Sequence, residues 1–205
     1  MYARLAGHER HVADVTGPLE RLGAGYDVVV FDTPPGHAQA LDIAFAVARF
    51  LIMPVGVDTG SLDGLELVSD RYHVTRSRGL NPALEPLGVV LFGMDPAQPR
   101  LHREVRADVE WELDGAAPVF ESSIRHRPRA ARDLRRHGLA ASEYLRAARD
   151  TWDDRDLPAG TDSFDDDAAG LAHDYWDLTD EVLARLDAQA ALQVAGPVRA
   201  EVTVG

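Results

Sequence analysis

The chain has 205 residues, 45% of them hydrophobic, so it can bury a core, and we expect a single domain over residues 1–205. The absence of cysteine excludes disulfides, thiolate zinc sites and cysteine nucleophiles, and it favours a reducing compartment such as the cytoplasm. The net charge of −13 argues against a uniformly basic nucleic-acid-binding protein.

The charge is distributed unevenly along the chain. Residues 1–149 contain 18 arginines and 20 acidic residues, whereas residues 150–205 contain three arginines and 14 acidic residues. All 21 basic residues are arginine, so the sequence contains no lysine. An acidic loop is predicted at 151–167, because this stretch is rich in aspartate and contains Pro158 and Gly160.

Strand-like and helix-like segments alternate along the chain, which predicts an α/β fold with a mostly parallel sheet flanked by helices. The strand candidates are nearly all apolar, as strands covered on both faces should be, and they lie at 28–32, 50–55, 87–92 and, more weakly, 117–120. Apolar residues spaced three and four apart predict helices within 39–49 and 61–72, near 99–113, from Pro128 to Gly138, and near 168–190.

The stretch "YDVVVFDTPPG", residues 26–36, ends the first strand candidate in a carboxylate. Asp32 follows four β-favouring residues, and the Thr-Pro-Pro-Gly that comes next cannot continue a strand. In an open parallel sheet, ligands bind beyond the carboxyl ends of the strands, where this interpretation places Asp32. An aspartate there can hold the water shell of a Mg²⁺ ion that bridges nucleotide phosphates. The alternative is an aspartate that caps the following turn.

Several motifs occur in an order that resembles the ParA/MinD family of partition and positioning ATPases. After "YDVVVFDTPPG", which resembles the family's Walker B strand and switch II turn, the chain continues with "FLIMPV", "SLDGLELV" and "NPALEPLGVVL" at comparable spacing. A fainter similarity continues through "PVFESSIRHRPRAARDLRRHG" and returns at "DYWDLTDEVLARL". The resemblance covers nearly the whole chain.

This resemblance implies a ParA-like P-loop NTPase fold, with ATP and Mg²⁺ as cofactors. It implies that Asp32 is the catalytic carboxylate and contacts the metal through water. The residues that follow, Thr33, Pro34, Pro35 and Gly36, would form the switch II turn, which senses the γ-phosphate in the family. An ordinary rigid turn is equally compatible with the two prolines.

The chain departs from the family at the phosphate-binding loop. The pattern GxxxxGK[ST] should precede the Walker B strand by roughly a hundred residues, yet 25 residues precede Tyr26 and no lysine exists anywhere. We therefore expect a domain that lacks its first βα unit, leaves Val28–Phe31 exposed, and by itself neither binds ATP tightly nor hydrolyses it. A misplaced start, a split gene product or a decayed paralogue would each explain this departure.

A cluster of arginines is the second chemical feature. On a helix that begins near 128, Arg129, Arg132 and Arg136 share a face that can contact phosphates without reading bases. The family resemblance also implies non-specific DNA binding through basic C-terminal helices. The alternative is a solvated face. The predicted DNA-binding residues lie within twelve positions: Arg125, Arg127, Arg129, Arg132, Arg135 and Arg136.

The resemblance also implies partners and a location. MinD-like members anchor to membranes through a basic amphipathic C-terminal helix, which this chain lacks, so we expect no membrane partner. The partition branch implies plasmid or chromosome segregation by a cytoplasmic, nucleoid-associated protein. Its partners would be non-specific DNA, a second subunit in a homodimer or heterodimer, and a centromere-binding adaptor protein. The alternative is a non-catalytic module that binds DNA or pairs with a full-length homologue.

Overall fold

The computed structural model describes residues 14–19, 21–34, 37–150 and 166–195. The chain divides into two compact units, each defined by the contacts among its own residues. The first comprises Met1–Ile52 and Leu62–Pro86, and the second comprises Met53–Ser61 and Leu87–Gly205. The predicted acidic loop at 151–167 lies outside the described residues, except for its last two positions, which begin a helix.

The strands form a three-stranded parallel sheet in the order β1-β2-β3, so the predicted α/β class is confirmed. The first strand has the predicted bounds, and the second contains the predicted apolar run. The third begins two residues later than predicted and continues through polar residues that an apolar pattern does not reveal. Their bounds are Phe50–Val55 (β1), Glu85–Met94 (β2) and Val119–Arg125 (β3).

Helices connect and flank the strands. The helices predicted from apolar spacing are confirmed, while α5 is an additional helix and α6 is longer than expected. Residues 14–19 and 21–23 are also helical. Within the described ranges, no helix has the length and apolar character needed to cross a membrane. The bounds are Ala38–Val47 (α1), Thr59–Ser77 (α2), Pro99–Leu113 (α3), Pro128–His137 (α4), Ala141–Asp150 (α5) and Asp166–Ala195 (α6).

The predicted strand at 28–32 is wrong. Residues 27–34 have no regular secondary structure, and Val28, Val29 and Val30 are 54%, 45% and 84% exposed. An apolar, β-favouring run becomes a strand only where a neighbouring strand offers hydrogen-bond partners and an apolar surface to pack against. Among the described residues, no strand pairs with this run. Val28, Val29 and Val30 are exposed as expected, but Phe31 is partly buried and the run is not a sheet edge.

In the first unit, Asn81, the first residue of "NPALEP", binds the end of helix α1. Its side-chain nitrogen donates to the carbonyl oxygens of Phe45 at 2.8 Å and Ala48 at 2.7 Å, near the end of α1, where carbonyl groups lack partners within the helix. Arg71 on α2 pairs with Asp42 on α1 at 3.2 Å. These polar contacts join the turn before β2 and helix α2 to helix α1.

In the second unit, α6 packs against β3 and covers its outer edge with carboxylates. Glu181 accepts hydrogen bonds from the backbone N–H groups of Glu121 at 3.0 Å and Ser122 at 2.9 Å. Asp174 accepts one from the backbone N–H of Arg125 at 2.9 Å. A strand edge that is left unpaired invites pairing with another chain, so α6 satisfies N–H groups that a fourth strand would otherwise bind.

Arg185 joins α6 to the amino ends of β2 and β3. Its guanidinium donates to the carbonyl oxygens of Leu87 at 2.9 Å and Val119 at 3.0 Å, and it lies 3.9 Å from the centre of the Phe120 ring. Gly88 is required beneath it, because a Cβ atom there would lie 2.6 Å from the Phe120 ring. This end of the unit is therefore closely packed.

Candidate functional site

Helix α4 carries most of the arginine cluster, and its ends are those that the sequence predicts. Pro128 occupies the first turn, where its missing N–H costs no hydrogen bond, and Gly138 ends the helix with a φ of 66°. Ala130 and Leu134 are buried and attach the helix to the rest of the unit. The opposite side of this short helix therefore faces solvent.

Four arginines occupy that solvent side, and we call them the arginine face: Arg129, Arg132, Arg135 and Arg136. All four are exposed, and none forms an ion pair with an acid among the described residues. Because successive residues are about 100° apart around a helix, these positions fall within one broad stripe. A shallow depression of about 500 Å³ runs along the stripe and is lined by Pro128, Ala131, Arg132, Arg135 and Arg136.

Arg125 differs from these arginines because it is committed to an ion pair. Its Nε and Nη2 atoms each donate to one oxygen of Asp174 at 2.7 Å, and its backbone N–H donates to the same carboxylate. Gly170 gives the guanidinium room, since a Cβ atom there would clash with it. The carboxylate neutralises its charge, so Arg125 is not part of the arginine face, and its contact with DNA stays a prediction.

Arg127 also lies outside the arginine face. It immediately precedes α4, is partly buried, and donates from Nη1 to the carbonyl oxygen of His126 at 2.9 Å. It therefore contributes to the turn that connects β3 to α4. Of the six predicted arginines, the structure brings four together on one exposed surface.

Asp32 is exposed and lies in the segment without regular secondary structure. The strand end that a magnesium role requires is therefore missing at this position. Thr33 is partly buried and Pro34 is exposed, whereas Pro35 and Gly36 lie outside the described residues. In the parts of the chain that the structure describes, no three histidine or acidic side chains come together as a metal-binding group. The roles of Asp32 with Mg²⁺ and ATP stay predictions.

Two other aspartates follow strands of the sheet, and the sequence reasoning missed them. Asp58 follows β1 and accepts hydrogen bonds from the backbone N–H and the hydroxyl of Ser61, both at 2.9 Å. Asp95 follows β2 and accepts from the side chain of Gln98 and the backbone N–H of Ala97, and these contacts lower the pKa of Asp95. Both carboxylates therefore organise local turns. Their signal was an aspartate directly after an apolar run.

Comparison with known proteins adds no family assignment to this geometry. No protein-family model matches the sequence, and no curated protein matches it. The arginine face is therefore identified as the candidate functional surface from its own residues alone.

Proposed function

We propose that this chain is a ParA-like partition protein whose own activity is sequence-independent DNA binding through the arginine face. The observation that carries the proposal is the presence of four exposed arginines on one helix, none paired with an acid of the described residues. Guanidinium groups so placed can replace the counterions that surround DNA phosphates. The ParA resemblance contributes the cellular role in segregation.

The residues around the arginines favour phosphate contact over base recognition. Helix α4 has the sequence "PRAARDLRRH", which contains no asparagine or glutamine to pair with adenine and no Phe, Tyr or Trp to stack on a base. Its ten residues extend over about 15 Å, enough for contacts with a few successive phosphates. Phosphate contacts position a protein on DNA without reading its sequence. We therefore expect weak, salt-sensitive and sequence-independent binding.

Catalysis is not part of this proposal. These 205 residues contain no lysine, and the phosphate-binding loop of the family depends on one. Asp32 by itself would repel nucleotide phosphates, since the stabilisation of their charge comes largely from backbone amides and that lysine. DNA binding by this chain should accordingly not require ATP.

A triple substitution tests the arginine face. Replacing Arg129, Arg132 and Arg136 with alanine should make the slope of log affinity against log salt concentration shallower by about three, because each phosphate contact contributes nearly one. Fluorescence anisotropy with a random-sequence duplex at several salt concentrations measures this slope.

The matched control removes the same charge elsewhere. Arg78, Arg100 and Arg103 are exposed residues on or next to other helices, and their replacement with alanine should leave the slope nearly unchanged. If the two triple variants lost the same slope, binding would follow overall charge, and the arginine face would not be the contact.

A second candidate function is a non-catalytic module that pairs with a full-length homologue. One observation favours it: the apolar side chains of Val28, Val29 and Val30 are exposed in the first unit. Contiguous apolar surface of this kind is typical of protein interaction sites, and a partner chain could cover it.

A further inference from the structure

Helix α6 presents a second charged surface to solvent, and this surface belongs to the same unit as the arginine face. The residues of this surface fall within about 120° of the helix circumference, because each residue of an α-helix is rotated by about 100° from the one before. Trp176 and Leu183 are 37% and 47% exposed, and the aspartates of the surface are exposed as well. We call this surface the acidic face: His173, Trp176, Asp177, Asp180, Leu183 and Asp187.

The packing of α6 does not use the acidic face. The helix binds the sheet through Asp174, Glu181 and Arg185, and it buries Leu171 and Ala172. None of the three exposed aspartates forms an ion pair within the described part of the chain. A face that combines an exposed tryptophan with unpaired carboxylates suits a basic, amphipathic partner helix.

We propose that the acidic face binds the arginine face of a second copy of this chain. Charge complementarity favours this partner, because the acidic face contains three aspartates and no arginine, whereas the arginine face contains four arginines. The lengths are also compatible, since the aspartates extend over about 15 Å of α6 and the arginines over about 10 Å of α4. Trp176 offers a ring to a guanidinium, and Leu183 can pack against the aliphatic stems of arginines.

The contact must form between copies. Both faces are exposed in one copy, so they do not bind each other there. Each copy carries one face of each kind, which produces a head-to-tail contact that can continue from copy to copy. Exposed ion pairs are individually weak and screened by salt, so this association should be weak and should disappear as salt is added.

This contact uses the arginine face but does not depend on DNA binding. DNA would compete for the same arginines, so a random-sequence duplex should dissociate the assemblies. Neutralising the acidic face should leave DNA affinity unchanged or increase it, because assembly no longer competes. Self-association without DNA binding would contradict the proposed function and leave this inference standing, and the reverse result would do the opposite.

Sedimentation of the full chain tests the contact at about 20 mM and about 500 mM salt, on either side of strong screening. At low salt the average mass should rise with protein concentration beyond that of a dimer, and at high salt it should return to that of one chain. R129A/R132A/R136A and D177N/D180N/D187N should each remain at single-chain mass. Their equimolar mixture should form dimers and stop there, because one compatible pair of faces remains.

Two control variants carry equal charge changes on other exposed positions. R78A/R100A/R103A and D70N/D108N/E112Q should associate like the unchanged protein, and circular dichroism should show that every variant is folded. A chain that stays single at low salt overturns the proposal, as does a mixture that fails to form dimers. Loss of association in the aspartate variant alone would indicate that the acidic face binds basic residues outside the arginine face, and would also overturn the proposal.

Discussion

Replacing Glu181 with alanine should lower the free energy of unfolding by about 3 kcal/mol, because it removes one carboxylate that satisfies several groups. That carboxylate accepts hydrogen bonds from the backbone N–H groups of Glu121 and Ser122, and a third from the guanidinium of Arg185 at 2.7 Å. Its loss leaves two amides at the edge of β3 without their acceptor. Partial exposure of the side chain places the effect at the low end of the range expected for a buried ion pair.

Denaturant unfolding measures this change, and Glu112→Ala is the matched control. Glu112 is an exposed glutamate on α3, and its removal should change stability by less than about 0.5 kcal/mol. Equal stability of the two variants would mean that the contacts between Glu181 and β3 contribute nothing measurable.

The same carboxylate should make stability depend on pH. Burial opposes its ionisation, but the N–H groups of Ser122 and Glu121 and the side chain of Arg185 outweigh burial and lower the pKa of Glu181. A lowered pKa stabilises the folded state above the ordinary pKa of glutamate, and the contribution is lost as pH falls through the lowered value. The stability difference between Glu181→Ala and the unchanged protein should therefore shrink from about pH 7 to about pH 3.

Replacing Asp174 with alanine should cost about 3 to 4 kcal/mol of unfolding free energy, the range expected when one partner of a largely buried ion pair is removed. Asp174 is 9% exposed and accepts three hydrogen bonds from Arg125, two from the guanidinium and one from the backbone. Asp174→Asn should cost less, because an amide oxygen can still accept the backbone N–H.

A double-mutant cycle separates this pair from its surroundings. Combining Asp174→Ala with Arg125→Ala should cost less than the sum of the two single changes, by about 1 to 3 kcal/mol, as expected for groups in direct contact. Additive costs would show that the two side chains do not stabilise each other. Arg125→Ala should also leave the salt slope of DNA binding unchanged, since its guanidinium serves the fold.

Local signals in the sequence predicted the parts of the fold that depend on neighbouring residues. Helix α4 is the clearest case, since Pro128, Gly138 and the buried Ala130 and Leu134 all act within the helix or beside it. Strand β1 has the expected bounds because its apolar run is paired in the sheet. The run at 28–32 has similar composition, yet no strand among the described residues pairs with it, and composition alone does not distinguish the two.

The contacts that the sequence did not reveal connect residues far apart in the chain. Strand β3 contains polar residues, and its edge is satisfied by Glu181, about 60 positions later. Arg125 lies in the arginine cluster of the sequence, yet its guanidinium pairs with Asp174, 49 positions later, so it is not part of the arginine face. Helical spacing correctly grouped Arg129, Arg132 and Arg136, because that grouping depends on α4 alone.

Arginine side-chain NMR offers the most direct measurement of DNA binding by the arginine face. The full chain, without nucleotide, is titrated with a random-sequence duplex at low salt while the arginine Nε–H resonances are followed. The resonances of Arg129, Arg132, Arg135 and Arg136 should shift together, and those of Arg125 and Arg185 should stay in place, since both are held by carboxylates. An unshifted arginine face, or shifts centred on Arg125 and Arg185, would contradict DNA binding at this surface.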